Sequence, residues 1–245
     1  MSADLEIVLV RPKEDGNVGA VARAARNFGV RRLTLVAPRA EIGPIARRRA
    51  MAGLALLDSA RVVPDFQSAV APADLVVGTT DLVTGRSTAY LRRSISPERL
   101  GELLRTVVGR VAVVFGPEDN GLSRTELAHC DLLVHVPARR EFPTLNLSHA
   151  AAIVLYALHR ARGEEDPDST PAPQVVPLDG KGKEIFLERL TELLAQTGYP
   201  RHKRAGMVLL FRRVLGRAAP GESEYRMMLG LLKSSSRALR RGHGR

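Results

Sequence analysis

The chain has 245 residues, of which 44% are hydrophobic, and a net charge of +11 at pH 7. This composition is typical of a globular protein, and no stretch approaches the roughly 18 consecutive apolar residues that a membrane span needs. Residues 1–10 have neither the basic flank nor the apolar core of a signal peptide. Cys130 is the single cysteine, which excludes an intrachain disulfide and a thiolate-rich metal site. We therefore expect a cytoplasmic protein without membrane contact, with Cys130 as a small core residue.

Short β-branched runs alternate with helical patterns over the first 160 residues. Strands are predicted at 6–10, 33–36, 61–63, 75–78, 111–115 and 132–136. Residues 18–28 carry an apolar stripe with helical spacing between the first two strands. Strands that are apolar on both faces and separated by helices predict an α/β domain with a parallel sheet covered on both sides, over residues 1–162. Ligands of such sheets usually bind at the carboxyl ends of the strands.

A linker and a small helical extension are predicted after this domain. Residues 163–182 are rich in Pro, Asp, Glu and Gly, as linkers are. Helices are predicted at 183–198, 202–218 and 222–239, and the first has a glycine stop at Gly198. Residues 183–245 are therefore predicted to form a small all-α domain.

The positive charge is concentrated in this extension. Residues 181–245 hold 15 Lys and Arg against 5 Asp and Glu, whereas residues 1–180 hold 22 against 21. A charge-balanced domain followed by a basic segment indicates a polyanionic partner, most commonly a phosphate backbone. A merely soluble basic surface or a disordered tail is the alternative.

The first motif, "GNVGAVARAARNFG", follows the first predicted strand and opens a helix. Gly16 and Gly19 would let the backbone turn tightly and approach a ligand, but their spacing is not the G-x-G-x-x-G of dinucleotide binders. Arg23 and Asn27 are four residues apart and hence neighbours on a polar helix face. Taken alone, a solvated face is the favoured explanation of these side chains.

The second motif, "GPEDNGLS", follows the fifth predicted strand and resembles a phosphate-binding P-loop without being one. Leu122 replaces the lysine that would meet the terminal phosphates, and Glu118 and Asp119 would repel a polyphosphate. Such a loop suits a ligand with hydroxyl groups or positive charge. Ser123 and Glu126 have the spacing of a helix capping box.

The third motif, "PTLNLSHA", begins an apolar helix with polar side chains. Thr144, Asn146 and Ser148 could cap the helix, or they could belong to a ligand site, and the residues alone do not decide. The six histidines have no H-E-x-x-H spacing, no Cys pair supports a zinc site, and no G-x-S-x-G is present. We therefore expect no metal, and group transfer to a nucleic acid remains.

In this order and spacing, the three motifs resemble motifs 1, 2 and 3 of the SpoU/TrmH family. These proteins are RNA ribose 2′-O-methyltransferases with a knotted α/β fold, called SPOUT. Within the family, the start "LEIVLVRP" and the end "LFRRVLGRAAPGESEYRMMLGLLKS" are similar to the TrmJ-like group, which methylates tRNA at position 32 of the anticodon loop. The resemblance implies a C-terminal trefoil knot, a homodimer formed through the knot, and tRNA binding by the basic extension.

The resemblance also implies a cofactor and a set of site residues. S-adenosylmethionine would bind in the knot, at the loops after the last three strands of the domain. Its contacts would be Thr79, Thr80, Asp81, Gly116, Val136, Pro143, Thr144 and Leu145. The catalytic set would be Arg23, Asn17, Glu118, Thr144 and Asn146. The family usually has serine where this chain has Thr144, which keeps the hydroxyl group and adds a methyl group.

The family proposal makes the arginine of motif 1 a general base, but a guanidinium with a pKa above about 12 is very rarely deprotonated. We therefore favour Arg23 as a clamp on a phosphate and a stabiliser of the forming alkoxide. The resemblance also implies that Arg23 of one subunit acts at the cofactor pocket of the partner subunit. Two alternatives stay open: the same chemistry on ribosomal or another RNA, and a non-catalytic RNA-binding protein with a vestigial knot.

Overall fold

The alternation of strands and helices is present in the computed structural model, which describes residues 3–80, 94–139, 141, 143–161, 180–218 and 220–242. The strands are β1 (Asp4–Val10), β2 (Arg32–Val36), β3 (Arg61–Val63), β4 (Leu75–Thr79), β5 (Arg110–Phe115) and β6 (Leu132–Val134). The helices are α1 (Asp15–Asn27), α2 (Pro44–Ala50), α3 (Leu54–Asp58), α4 (Phe66–Val70), α5 (Pro97–Leu104), α6 (Arg124–His129), α7 (Leu147–Ala161), α8 (Gly180–Gln196), α9 (Arg201–Ala218) and α10 (Glu222–Gly242). A 3-10 turn (Met51–Gly53) joins α2 to α3. Every predicted strand is confirmed, with ends that differ by at most two residues.

The strands form one parallel sheet in the order β3-β2-β1-β5-β4-β6. Because side chains alternate along a strand, Ile7 and Leu9 of β1 pack with α1, α5 and α7 on one face, while Val8 and Val10 pack with α4 and α6 on the other. The predicted α/β class with a sheet covered on both sides is confirmed. Cys130 lies in the second of these cores, where burial raises the pKa of its thiol to about 12.

Gly16 and Gly19 of the first motif lie within α1 and make room for α2. A Cβ on Gly19 would lie 2.0 Å from the carbonyl oxygen of Ala46 in α2, and a Cβ on Gly16 would lie 2.7 Å from Nη1 of Arg49. The expectation that these glycines serve a sharp turn is therefore wrong, because close helix packing accounts for them.

The helices α8, α9 and α10 pack around a small core of their own, made of Phe186, Leu187, Leu190, Leu215, Tyr225 and Leu232. The predicted helical extension is confirmed, and Gly198, with a φ of +69°, follows the end of α8. Because α8 begins at Gly180, the last three residues of the predicted linker are helical, and residues 163–179 lie outside the described residues.

A buried ion pair joins the extension to the sheet. The Oδ2 atom of Asp131 accepts hydrogen bonds from Nζ of Lys183 at 2.6 Å and from the backbone N–H of Val76 at 2.8 Å. Lys183 also donates to the carbonyl oxygen of Asp74 at 3.1 Å, and Nη1 of Arg212 lies 3.6 Å from Oδ1 of Asp131. Since Asp74 and Asp131 directly precede β4 and β6, the extension docks at the amino ends of these strands.

The trefoil knot stays a prediction, because residues 81–93, which follow β4 in the chain, lie outside the described residues. Within the described part of the chain, no helix is long and apolar enough to cross a membrane. In the same residues, no group of three or more His, Cys, Asp or Glu side chains is placed to hold a metal ion.

Candidate active site

A cavity of about 360 Å³ lies at the carboxyl ends of β4, β5 and β6. Parallel α/β sheets usually bind ligands at this end, and the volume falls within the roughly 300–1,000 Å³ of small-molecule sites. The wall consists of Thr79, Thr80, Phe115, Gly116, Pro117, Glu118, Asp119, Asn120, Gly121, Leu122, Val134, Val136, Pro143, Thr144, Leu145, Leu147, Ala150 and Val154. Three loops that are far apart in the sequence therefore build one cavity.

Most of the residues expected to contact the cofactor meet in this wall. They are Thr79, Thr80, Gly116, Val136, Pro143, Thr144 and Leu145. Asp81, which belongs to the same expected set, lies outside the described residues. The structure thus brings together seven of the expected contacts, and their role toward a cofactor stays a prediction.

The loop after β5 folds back on itself within the cavity wall. A Cβ on Gly116 would lie 2.3 Å from the carbonyl carbon of Gly121 and from the backbone nitrogen of Leu122, so only glycine fits at this position. Gly121 has a φ of +61°, which favours glycine as well. Ser123 and Glu126 form the predicted capping box at the start of α6, which confirms their structural role.

A chain of side-chain hydrogen bonds joins the three motifs. Nδ2 of Asn146 donates to Oδ1 of Asn17 at 3.1 Å, and Nδ2 of Asn17 donates to Oε1 of Glu118 at 3.0 Å. Glu118 also accepts from the backbone N–H groups of Lys13 at 3.0 Å and Glu14 at 3.2 Å. The first turn of α1 is therefore fixed to the loop after β5 and to the start of α7.

The hydrogen bonds to Glu118 determine its ionisation. Burial alone would raise the pKa of this carboxyl group, but the bonds from the Asn17 side chain and from the backbone of Lys13 and Glu14 outweigh burial and hold the pKa below its ordinary value of 4.5. Both oxygens of the ionised group are already acceptors within the protein. The geometry therefore favours a positioning role for Glu118 over proton transfer.

The start of α7 both caps the helix and forms part of the cavity wall. Oδ1 of Asn146 accepts from the backbone N–H of Ser148 at 2.9 Å and from its Oγ at 2.7 Å, so Asn146 is the capping residue. Thr144 and Leu145, directly before it, line the cavity. The two explanations that the sequence left open for this segment therefore apply to different residues.

Arg23 lies apart from the cavity of its own subunit. Its side chain is exposed on α1, it is absent from the described cavity wall, and no described carboxylate oxygen lies within 4 Å of its guanidinium. On the neighbouring helix α7, Tyr156 is 52% exposed and Ile153 is 39% exposed. The ring of Tyr156 packs edge-on against Phe28, with ring centroids 6.3 Å apart. Arg23 and these apolar side chains thus lie on the surface, and Arg23 is outside the described cavity wall.

Four apolar residues of the cavity wall, on β5 and α7, were not predicted from the sequence. Phe115 ends β5, and Leu147, Ala150 and Val154 follow one face of α7. These residue types are indistinguishable from core residues in a sequence. Leu147, Ala150 and Val154 are spaced three and four residues apart along α7, which puts them on the face that packs toward the sheet. This spacing is the feature of the sequence that could have identified them.

Comparison with known proteins places the chain in a family. The profile of the SpoU rRNA Methylase family matches residues 4–156. The chain is 32% identical over 243 residues to "tRNA (cytidine/uridine-2′-O-)-methyltransferase TrmJ" of Pectobacterium atrosepticum, covering 96% of this chain and 97% of that protein. The crystal structure of TrmJ from Z. mobilis ZM4 is 30% identical, with a TM-score of 0.71, covering 95% of this chain and 99% of that one.

A more distant structure shares only the fold. The SpoU methyltransferase AviRb from Streptomyces viridochromogenes, solved in complex with the cofactor AdoMet, is 21% identical with a TM-score of 0.53, covering 66% of this chain and 59% of that one. The family profile spans the whole sheet and all three motifs. With the full-length similarity to TrmJ proteins, it shows that the chain belongs to the SpoU rRNA methylase family.

Proposed function

We propose that the protein is a cytoplasmic tRNA methyltransferase that uses S-adenosylmethionine to methylate a ribose 2′-hydroxyl group, at position 32 of the anticodon loop. The observation that carries the proposal is the cavity at the carboxyl ends of β4, β5 and β6, which the chain Asn146–Asn17–Glu118 ties to α1. The similar TrmJ proteins support tRNA as the substrate and the 2′-oxygen as the acceptor. Position 32 rests on the TrmJ-like start and end of the sequence.

The cavity suits S-adenosylmethionine in size and chemistry. Phe115, Val134 and Val154 offer an apolar surface for an adenine ring. The close return of the loop at Gly116 leaves backbone where a side chain would otherwise stand. When bound, S-adenosylmethionine supplies an electrophilic methyl group. Thr79, Thr80, Gly116, Val136, Pro143, Thr144 and Leu145 would hold it, together with Asp81.

Arg23 would act on the RNA. A ribose hydroxyl is a very weak acid, so the protein must align its oxygen and stabilise the negative charge that develops on it. The guanidinium of Arg23 can bind a neighbouring phosphate through two parallel hydrogen bonds and stabilise the forming alkoxide. The proton would leave to phosphate or water. Asn17, Glu118 and Asn146 would hold α1 and the cavity loops in register.

We propose a homodimer formed through the knot region, in which Arg23 of one subunit meets the cavity of its partner. The exposed position of Arg23, outside its own cavity wall, and the exposed Tyr156 and Ile153 beside α1 support this arrangement. Light scattering should give the mass of a dimer. Mixing equal amounts of Arg23→Ala and Gly116→Leu subunits should restore about one quarter of wild-type activity, because about half of the dimers are mixed and one of the two sites in each mixed dimer is intact. An active monomer would contradict the proposal.

The basic extension would bind tRNA. The helix α9 begins with Arg201, Lys203 and Arg204, and no acidic residue occurs anywhere along it. Deleting residues 165–245 should weaken tRNA binding far more than S-adenosylmethionine binding. Equal loss of both affinities would mean that the extension has a structural role instead.

The experiment that tests the function incubates the purified protein with S-adenosylmethionine and unmodified tRNA, followed by mass spectrometry of the RNA fragments. We expect one 2′-O-methyl group at position 32, and none with Arg23→Ala. Calorimetry should show that Arg23→Ala still binds S-adenosylmethionine, which separates a catalytic defect from misfolding. Methylation of ribosomal RNA alone would favour the other substrate, and tRNA binding without cofactor binding would favour a non-catalytic protein.

A further inference from the structure

The helix α2 carries three consecutive arginines that the proposed function does not use, and they differ in their surroundings. Arg47 is ion-paired with Asp58, with Nη1 and Nη2 donating to the two carboxylate oxygens at 2.7 Å and 3.1 Å. Arg49 points to the other side of α2, toward α1. Arg48, between them, faces away from the buried residues Ala46 and Ala50.

Arg49 lies against the first turn of α1, where Gly16 provides the space. A Cβ built on Gly16 would lie 2.7 Å from Nη1 and 2.9 Å from Cζ of Arg49, so the guanidinium occupies the volume that a side chain at position 16 would fill. The Arg49 side chain remains exposed, and no oxygen of a described Asp or Glu lies within 4 Å of its nitrogens. The contact therefore places a charge that has no partner in the described part of the protein.

The place of this charge connects it to Arg23, which the proposed dimer brings to the cavity of the partner subunit. Along α1, Arg23 comes seven residues after Gly16, which is close to two helical turns and about 10 Å on nearly the same face. Arg49 and Arg23 thus present two unpaired guanidinium groups along one side of α1, and successive phosphates of an RNA strand are the matching charge pattern.

We propose that Arg49 binds a backbone phosphate of the RNA near the nucleotide that Arg23 contacts, and that Gly16 is required because it leaves room for the Arg49 guanidinium. The inference rests on the proposed function for the identity of the ligand as RNA. It adds a phosphate-binding residue that lies outside the three motifs, and it gives the first glycine of motif 1 a role in substrate binding.

The test measures the affinity of the full-length protein for unmodified tRNA by fluorescence anisotropy over a range of salt concentrations. Arg49→Ala should bind about three- to tenfold more weakly, and the slope of log affinity against log salt should fall by about 0.7 to 0.9. Arg47→Ala removes the same charge from the same helix but breaks only an ion pair, so its affinity and slope should equal those of the wild type.

Gly16→Ala provides an independent test without changing the charge. The alanine methyl group would occupy the place of the guanidinium, and the end of the flexible arginine can move away while alanine favours the helix. We expect Gly16→Ala to weaken tRNA binding about as much as Arg49→Ala, and to have no further effect in the Arg49→Ala background. Unchanged affinity for S-adenosylmethionine in each variant checks that the fold is retained.

Two results would overturn the inference. If Arg49→Ala has the tRNA affinity and the salt slope of the wild type, Arg49 does not bind a phosphate. If Gly16→Ala weakens tRNA binding equally in the wild type and in the Arg49→Ala background, Gly16 does not act through Arg49. The proposed function is judged separately, by methyl transfer to tRNA in the wild type. If the wild type transfers the methyl group and Arg49→Ala binds tRNA as tightly as the wild type, only this inference is contradicted. If Arg49→Ala binds tRNA more weakly but the wild type transfers no methyl group, only the proposed function is contradicted.

Discussion

Replacing Asp131 by asparagine should strongly destabilise the docking of the extension. Asp131 is fully buried, and Lys183, whose side chain is only 7% exposed, donates to it at 2.6 Å. Asparagine keeps the shape but leaves the buried ammonium without its counter-charge, which costs about 3–5 kcal/mol of unfolding free energy when one partner of a buried pair is removed. For a chain of this size, that corresponds to a fall of roughly 6–20 °C in the unfolding temperature.

The Lys183→Met variant and the double variant separate the ion pair from other effects. Lys183→Met should lose less stability, because Asp131 still accepts from the backbone of Val76 and lies 3.6 Å from Arg212. In the double variant, the loss should be smaller than the sum of the two single losses, since no unpaired buried charge remains. Thermal unfolding followed by circular dichroism measures each value.

A surface ion pair serves as the control. Nη1 of Arg99 lies 2.5 Å from Oε2 of Glu102, but the two side chains are 61% and 59% exposed. Arg99→Ala should therefore change the unfolding free energy by about 1 kcal/mol or less. If Asp131→Asn were as mild as Arg99→Ala, or if the single and double variants were additive, burial of this pair could not be what holds the extension in place.

Three further outcomes are expected. Arg23→Lys should reduce the rate of methyl transfer in single-turnover assays by about tenfold or more, because an ammonium cannot make the paired contacts of a guanidinium. The affinity for the cofactor should not change, and full activity would refute the clamp role. Thr144→Ser should stay active and Thr144→Val should not, as measured by the same assay, if the hydroxyl group is what the site needs; equal activity would refute this. The pKa of Glu118 is lower in the folded protein than its ordinary value of 4.5, so its contribution to stability is full above that value and is lost as the pH falls through the lower pKa. Glu118→Gln should abolish this part of the acid dependence in unfolding measured against pH, and an unchanged profile would contradict it.

The strands were predictable because the requirement for them is local. A parallel strand buried on both faces needs a continuous apolar run, and the run around Ile7 and Val8 meets it. The carboxyl ends of such strands must share one edge, so the parallel strands predicted which edge of the sheet holds the cavity. Its position at the loops after the last three strands came from the family resemblance. The C-terminal helices were readable for the same reason, since each carries its own apolar stripe and Gly198 marks an end.

The contacts that decide the roles of polar residues were not predictable in this way. Asn17 and Glu118 are 101 residues apart in the chain, and Asn17 and Asn146 are 129 apart, so nothing in the local sequence pairs them. Gly16 looks like a turn residue until α2 is placed beside it. Asp131 looks like an ordinary surface carboxylate until Lys183, from another part of the chain, covers it.

The two ends of the sheet hold different parts of the protein, and this affects how such a protein can diversify in evolution. The extension is anchored at the amino ends of β4 and β6, while the cavity lies at their carboxyl ends, about 16 Å away for the five residues of β4. If the extension binds RNA as proposed, substitutions in α9 or α10 would alter which RNA is bound without changing the residues that line the cavity. The residues of the extension and those of the cavity can then change independently in evolution, provided that Asp131 and Lys183 change together.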